Sequence, residues 1–318
     1  MKCFYKWAKC LVFFAVLLLL LARANQILIR KSLAPPWDMS NKIGGFYNER
    51  GGDDLYFLGT SHSYCSFVPS IQEEMCGVKS YVFASQKQPM DVSYYYLKEA
   101  VKKHKPKVVV LDVMSCIYKG DYDDEGVVHS YADPLPLSLN KLAMVVKTVP
   151  RNLWPQAVFP LIKYHSRWSE LKEEDFSITP RDFKDPLKGH VALQGQSKSF
   201  AAGDVHLQAG DFFVHMREED KENLRRIKNY CEKKGIRLFL VKTPTYDSRP
   251  YQLVLGEVED FCRGESIPFI DYNEIKKAVG LTRSDYYDGY HLNETGAEKF
   301  NRYIASEADG FLREIREK

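Results

Sequence analysis

Leu55-Tyr56-Phe57-Leu58-Gly59-Thr60-Ser61-His62-Ser63 joins a short apolar run to a glycine-led, hydroxyl-rich turn. An apolar run of this length, closed by a turn signal, predicts a buried β-strand, here over residues 54–59. The alternation continues downstream. A helix is expected over 66–77, a strand over 80–84, a helix over 91–104 and a strand over 107–113, where Lys107-Val108-Val109-Val110-Leu111-Asp112-Val113 is strongly β-branched. Alternating strands and helices are what a parallel sheet requires, because every parallel return needs a crossover, and that crossover is right-handed. Later, Leu224, Ile227 and Cys231 form an apolar stripe ahead of a strand at 237–241. Phe300, Ile304, Ala308, Phe311 and Ile315 form another on a final helix, with Asn293 as its N-cap. The fold class is therefore α/β with a parallel sheet.

The turn after the first strand finds a chemical counterpart near the other end of the chain, in Asp288-Gly289-Tyr290-His291. An Asp three residues before a His, in a glycine-containing loop ahead of a helix, can orient the imidazole as a general base. A base of this kind needs a nucleophile, and Ser61 stands at the C-terminal end of a strand, where open α/β sheets place their ligands. A serine hydroxyl is a poor nucleophile until a neutral imidazole accepts its proton, and the imidazole needs a carboxylate on its other nitrogen. Ser61, Asp288 and His291 are thus the expected catalytic set. The bland alternative makes Gly59-Thr60-Ser61 only a polar turn. The pattern is not the Gly-x-Ser-x-Gly elbow of α/β hydrolases, since Ser63 occupies the last glycine position.

With these residues the chain resembles the SGNH (GDSL-type) hydrolase superfamily. Gly59-Thr60-Ser61 is similar to its first block, Gly-Asp-Ser, with Thr for Asp, and Asp288-Gly289-Tyr290-His291 is similar to its last, Asp-x-x-His. The resemblance implies a three-layer α/β/α fold with the nucleophile after the first strand. The oxyanion-hole glycine of the second block and the Asn of the third have no plain equivalent: the chain reads Ser85-Gln86-Lys87-Gln88-Pro89 after one strand and Lys242-Thr243-Pro244-Thr245 after another. Such degenerate middle blocks, with an N-terminal hydrophobic segment, resemble the exported, membrane-anchored branch that includes the teichoic acid D-alanyl transfer protein and the alginate-type O-acetyltransferase proteins of the bacterial cell envelope. For the oxyanion, the Ser61 backbone N–H is the first expected donor. The Ser85-Gln86 segment is the second, with Gln88 less favoured and a purely structural turn before Pro89 as the alternative.

The amino terminus bears on compartment. Lys2, Lys6 and Lys9 precede an apolar run from Cys10 to Ala22, and Ala22-Arg23-Ala24 resembles a small-x-small cleavage site. Thirteen apolar residues suit a cleaved export signal, whereas Ile27-Leu28-Ile29 extends the stretch towards an uncleaved anchor. Either way the body is expected outside the cytoplasm, anchored to the membrane or secreted. Residues 1–45 are expected to form the signal or anchor with a linker, and 46–318 an SGNH-like catalytic domain interrupted by a large insertion at about 119–205. That insertion holds seven of the fifteen prolines, so the strand–helix alternation stops there. Long loop-rich regions in compact domains are usually binding elements or lids. Within it Arg167 and Trp168, together with His62 beside the nucleophile, are candidate substrate-binding residues, because aromatic rings stack on sugars while Arg and His bond hydroxyls. The alternative is that Trp154 and Trp168 only pack the insertion onto the sheet.

Composition narrows the remaining classes. A hydrophobic fraction of 45% over 318 residues can build a substantial core, which argues against disorder. With 45 basic and 42 acidic residues the net charge is +3, and no electrostatic footprint points to nucleic acid. Outside the export segment lie Cys65, Cys76, Cys116, Cys231 and Cys262, an odd set without metal or disulfide spacing. Cys65 is a rival nucleophile only if no base serves Ser61. His165, His206 and His215 show no ligand spacing, so no metal is expected, and no phosphate-binding glycine loop suggests a nucleotide cofactor. Asp112 either meets substrate or caps the turn after its strand.

The reading that joins these features is an extracytoplasmic serine-dependent acyltransferase. It would carry an acyl group on Ser61 and pass it to a cell-surface polysaccharide or teichoic acid hydroxyl, with the acyl donor supplied by a membrane-bound O-acyltransferase partner. An esterase acting on surface glycans is the alternative, and a non-catalytic polymer-binding scaffold a second.

Overall fold

A computed structural model describes residues 2–31, 39–205, 207–307 and 310–316. Its centre is a sheet of β1 (Leu55–Leu58), β2 (Ser80–Val82), β3 (Val108–Asp112), β4 (Arg237–Lys242) and β5 (Phe269–Asp271), all parallel. The spatial order is β2-β1-β3-β4-β5, so the chain reverses its direction of build at β1 and β3. Leu55 pairs with Ser80 on one side and Val108 on the other, which fixes the register at the sheet's centre.

Both faces of the sheet are covered, which explains why its inner strands are apolar at nearly every position rather than alternately. Successive side chains point to opposite faces. Tyr56, Leu58, Val109, Leu111, Leu238 and Leu240 therefore join one core with the helices Met90–Lys103, Glu218–Lys234 and Gln252–Gly264. Leu55, Phe57, Val108, Val110, Phe239 and Val241 join a second with the helices Glu294–Ser306 and Gly310–Arg316. This is a three-layer α/β/α arrangement, as the sequence predicts.

Several boundaries differ for identifiable reasons. The chain enters a helix at Ser61 (Ser61–Ser66), not at residue 66, because Thr60 accepts the His62 N–H at 3.3 Å and caps it. A second helix, Pro69–Cys76, then starts with its proline in the first turn, where the missing N–H costs nothing. β5 and the helix Gln252–Gly264 went unread in the sequence; β5 is a three-residue edge strand whose half-buried side chains carry little periodic signal. The single terminal helix is two described helices, and Ala308 of the expected stripe lies outside the described residues. Ile43 and Phe46, on the helix Met39–Asn48, are buried in the core with Tyr56, Tyr81 and Phe83, so the core takes in Ile43 from the stretch expected to be linker.

The expected insertion is a chain of short helices that serves both cores. Val127, Val128 and Tyr131 pack with the first, and Val191, Leu193 and Phe200 with the second. The N-terminal helix runs without a break from Lys2 to Leu28, well past the thirteen-residue apolar run. Its Tyr5–Leu28 portion is long and apolar enough to cross a membrane by length and composition.

Asp53, which leads into β1, is buried, and burial pushes its carboxyl up to about 6, with Lys188 opposing and Glu49 adding. A folded pKa above the unfolded value means the group's contribution is fully present below about pH 4 and is lost as pH rises through 6. Asp53→Asn should therefore raise stability at pH 7 to 8 by roughly 1–3 kcal/mol, a gain that shrinks to near zero by pH 4. Urea unfolding across that pH range checks it, and an equal gain at every pH would refute the titration.

Candidate active site

The position of Ser61, the candidate nucleophile, follows from backbone geometry at the sheet's switch point. Gly59 has φ +128°, and a Cβ there would lie 3.1 Å from the Asp112 Cβ and 3.2 Å from its carbonyl oxygen. Only glycine combines that backbone with so close an approach to β3. The chain consequently turns at once into the helix Ser61–Ser66, and Ser61 stands at its first position, where the backbone N–H has no intrahelical acceptor.

The base arrives from the opposite end of the chain. Asp288 Oδ1 accepts the backbone N–H groups of Tyr290 and His291, each at 2.8 Å, so the carboxylate folds its own loop. The same carboxylate meets His291 Nδ1 at 3.0 Å from both oxygens, and His291 Nε2 lies 2.8 Å from Ser61 Oγ. With Asp288 accepting from Nδ1–H, Nε2 is free to accept the serine proton. Burial raises the Asp288 carboxyl, but the His291 charge and the hydrogen bonds from His291 and Tyr290 outweigh it and hold it below the usual range. Just beyond, Asn293 caps the helix Glu294–Ser306 by accepting from Gly296 N at 3.0 Å, as the sequence predicts.

Asn301, which the sequence reading passed over, ties that helix to the nucleophile's side. Its Oδ1 accepts from Val68 N at 3.0 Å and Gln72 Nε2 at 3.1 Å, while its Nδ2 donates to the Ser66 carbonyl at 2.6 Å. A polar residue on the inner face of an otherwise apolar stripe is the signal that would have found it.

Ser61, His62 and His291 open onto a cavity of about 110 Å³ walled by Met114, Tyr118, Tyr122 and Tyr290 and bordered by Lys87. Burial, then the charges of Lys242 and His291, push the His62 imidazole well below its ordinary range, so it is neutral beside the base. Among the described residues its buried Nδ1 has no hydrogen-bond partner. The Cys65 thiol is buried, and burial and the Asp288 charge push it up, leaving no thiolate to compete with Ser61. The aromatic wall was not legible: Tyr118 and Tyr122 fall in the irregular segment after β3, and Tyr122 is held by its hydroxyl donating to the Tyr118 carbonyl at 2.7 Å.

Other expected site residues lie elsewhere. The Ser85 N–H faces the Gly59 carbonyl at 3.4 Å, its hydroxyl donates to Gln88 Oε1 at 3.0 Å, and Gln86 is exposed; neither borders the cavity. Lys87, in the left-handed region at φ +47°, takes that edge instead. Arg167 is turned away to Asp175, at 2.7 and 2.8 Å, and to the Leu28 carbonyl at 2.7 Å. Trp168 is 73% exposed and does not border the cavity either. Asp112 caps: it accepts from Met114 N at 3.0 Å and from Thr243 N and Oγ1. His165 bonds the Ile162 carbonyl and His215 the Glu257 carboxylate, whereas His206 lies outside the described residues. Among the described residues no cluster of three or more His, Cys, Asp or Glu is arranged to hold a metal ion.

Tyr122 also walls a second, polar cleft of about 420 Å³, which carries Asp91, Asp123, Asp220, Arg217 and Asn223. Burial raises the Asp91 carboxyl to about 6. An apolar cavity and a hydrophilic cleft thus adjoin across one tyrosine.

No family model and no curated protein matches the chain. Among solved structures it is similar to a catalytic variant of an acetylxylan esterase from Geobacillus stearothermophilus, at 14% identity and a TM-score of 0.39 over 84% of this chain and 96% of that one. It is also similar to a GDSL-like lipase from Bacteroides thetaiotaomicron, at 9% identity and a TM-score of 0.33 over 80% of this chain and 88% of that one. Likenesses this distant leave the chemistry to be read from the site itself.

Proposed function

We propose that the protein is a membrane-anchored, extracytoplasmic acyltransferase that carries a small acyl group on Ser61 and delivers it to a hydroxyl of a cell-surface polysaccharide or teichoic acid. The observation that carries this reading is the unbroken line of hydrogen bonds from Asp288 through His291 to Ser61 at the mouth of a cavity. As Ser61 Oγ attacks the donor's carbonyl carbon, its proton passes to His291 Nε2. The tetrahedral intermediate then collapses, the carbonyl–oxygen bond of the donor breaks, and the departing alcohol takes the proton from Nε2. The acceptor hydroxyl repeats the sequence on acyl-Ser61, giving its proton to His291 and releasing serine as the bond to Oγ breaks. Asp288 stabilises the imidazolium at both stages. The Ser61 N–H is one oxyanion donor, and the Lys87 ammonium, in place of Ser85 or Gln86, is the second we assign.

The small, aromatic-walled cavity suits an acetyl or similar group rather than a long chain. The polar cleft beyond Tyr122 suits an acceptor rich in hydroxyls, which favours transfer over hydrolysis. The long apolar helix suits a protein that receives acyl groups from a membrane-bound O-acyltransferase. An esterase or deacetylase of surface glycans uses the same three residues with water as acceptor, and the half-exposed Ser61 and His291 favour it as the second reading. A non-catalytic scaffold has no use for the relay.

Ser61→Ala should abolish release of nitrophenol from nitrophenyl acetate while changing stability by no more than about 0.5 kcal/mol, since the hydroxyl contributes little packing. Asp288→Asn should lower the rate by about 10³- to 10⁴-fold by presenting the wrong tautomer. Retention of activity in Ser61→Ala with loss in Cys65→Ala would move the nucleophile.

Transfer is separated from hydrolysis by acceptor competition. A bound acceptor hydroxyl has a high effective concentration, so the right surface polymer should divert acyl groups into ester-linked product and lower free acetate per donor consumed. Asn223→Ala and Asp123→Asn should impair that diversion more than they impair hydrolysis of the nitrophenyl ester. A constant acetate yield with every polymer, with deacetylation of an acetylated one, would establish the esterase.

A further inference from the structure

We infer that residues 161–178 form a membrane-interface platform, which clasps the end of the apolar helix and rests Ile162, Trp168 and Phe176 in the headgroup layer of a zwitterionic bilayer. The inference rests on the proposal that this helix spans a membrane. Along the helix the apolar side chains from Leu11 to Leu20 are exposed, and the first charge after Lys9 is Arg23. The thirteen residues between those charges rise only about 20 Å, so a hydrocarbon layer of roughly 30 Å that begins near Lys9 ends between Arg23 and Lys31.

Over that length the chain is hydrogen-bonded to the segment at four places. Arg23 Nη2 donates to the Phe176 carbonyl at 2.8 Å, Leu161 N donates to Asn25 Oδ1 at 2.7 Å, and Arg167 Nη1 donates to the Leu28 carbonyl at 2.7 Å. Lys31 Nζ then reaches the Asp175 carbonyl at 3.0 Å. Residues 161–178 thus sit at the depth of residues 23–31. Ile162, Trp168 and Phe176 are exposed on this segment at 48%, 73% and 49%. Isolated apolar side chains on a surface need no explanation. Three large ones on a single short segment, held beside the end of an apolar helix, match the belt in which tryptophan concentrates at membrane surfaces. The neighbouring exposed charges are of both signs, Arg30 and Lys172 with Glu170, Glu173 and Glu174, which suits zwitterionic rather than strongly anionic lipid. Trp168, expected from sequence to hold a glycan, is by this assignment a lipid contact.

The test uses full-length protein in phosphatidylcholine nanodiscs whose acyl chains carry bromine near the headgroup. Two single-tryptophan proteins are compared, one keeping Trp7 and one keeping Trp168, with the other tryptophans changed to Phe. Bromine should lower the emission of both roughly twofold or more, with little access for acrylamide to Trp168. Quenching of Trp7 with undiminished, acrylamide-accessible Trp168 emission would overturn the platform and leave the anchor standing. Quenching of neither would remove the anchor and the platform together. Because Trp154 donates to the Val149 carbonyl and its loss can loosen the segment, Trp168→Phe is also made alone. It should remove a lipid-quenched component from the otherwise unaltered protein, and an unchanged quenching profile would again overturn the platform.

Discussion

A hydroxyl at the end of β1 and an imidazole 230 positions later meet across 2.8 Å, and much of the intervening chain holds that distance. Each side is fixed by its own backbone before the two meet. Gly59, pressed on Asp112, sets the turn that presents Ser61. On the other side Asp288 accepts two backbone N–H groups and so builds the loop that carries His291. What joins the halves is the helix Glu294–Ser306 lying against Ser61–Ser66 and Pro69–Cys76, with Asn301 satisfied by four bonds, three of them across that contact. A buried amide left partly unsatisfied costs about 1–3 kcal/mol, so a slip of one helix past the other is opposed by more than apolar packing. The layer arrangement thus supplies what a catalytic line needs, a serine and a base on separate rigid elements.

Electrostatics beside that line is organised to keep a single route for the proton. His62 is buried within 5.0 Å, ring to ring, of His291. A second imidazolium there would repel a protonated His291. Burial prevents this by holding His62 neutral. Cys65 is silenced by the same means, aided by the Asp288 charge. Asp288, although burial works against it, stays ionised because the base and two backbone dipoles face it. Three ionisable groups in one region are thus sorted by desolvation and hydrogen bonding into one relay and two spectators.

Sequence disclosed the features whose cause is local. The strand 54–59 ends at a glycine, and Asp288 and His291 are three residues apart in a loop that the aspartate itself folds, so a pattern a few residues long contained the physics. Ser85 and Gln86 were misassigned because the side of the turn facing the cavity depends on Lys87 entering the left-handed region, which residue types alone did not show. Arg167 was misassigned because its partners, Asp175 and the Leu28 carbonyl, become neighbours only when the insertion folds back on the N-terminal helix. The edge strand β5 was missed since three residues do not make a period. The fold class survived these errors because it rests on β-branched runs and helical stripes that repeat along the chain.

That fold-back changes what the insertion is for. Asp175 is buried and shared between Arg167 at 2.7 Å and Lys31 at 3.6 Å. Burial raises its carboxyl, but the Arg167 bonds, the Lys172 N–H and the two cationic charges outweigh it. Removing one partner from a buried ion cluster is typically far more costly than the cluster's net stabilisation, because the remaining charge is stranded. The contact between helix and body therefore resists opening even if its formation gained little. A flexible tether would let the Ser61 cavity sample every orientation around the helix, whereas a helix bonded through Arg23, Asn25, Leu28 and Lys31 fixes one. For the acyl transfer proposed above, from a membrane donor to an outside polymer, a fixed orientation would lower the entropy lost in each encounter. The proline-rich segment that interrupts the alternation of strands and helices is then the element that fixes how the body sits on that helix.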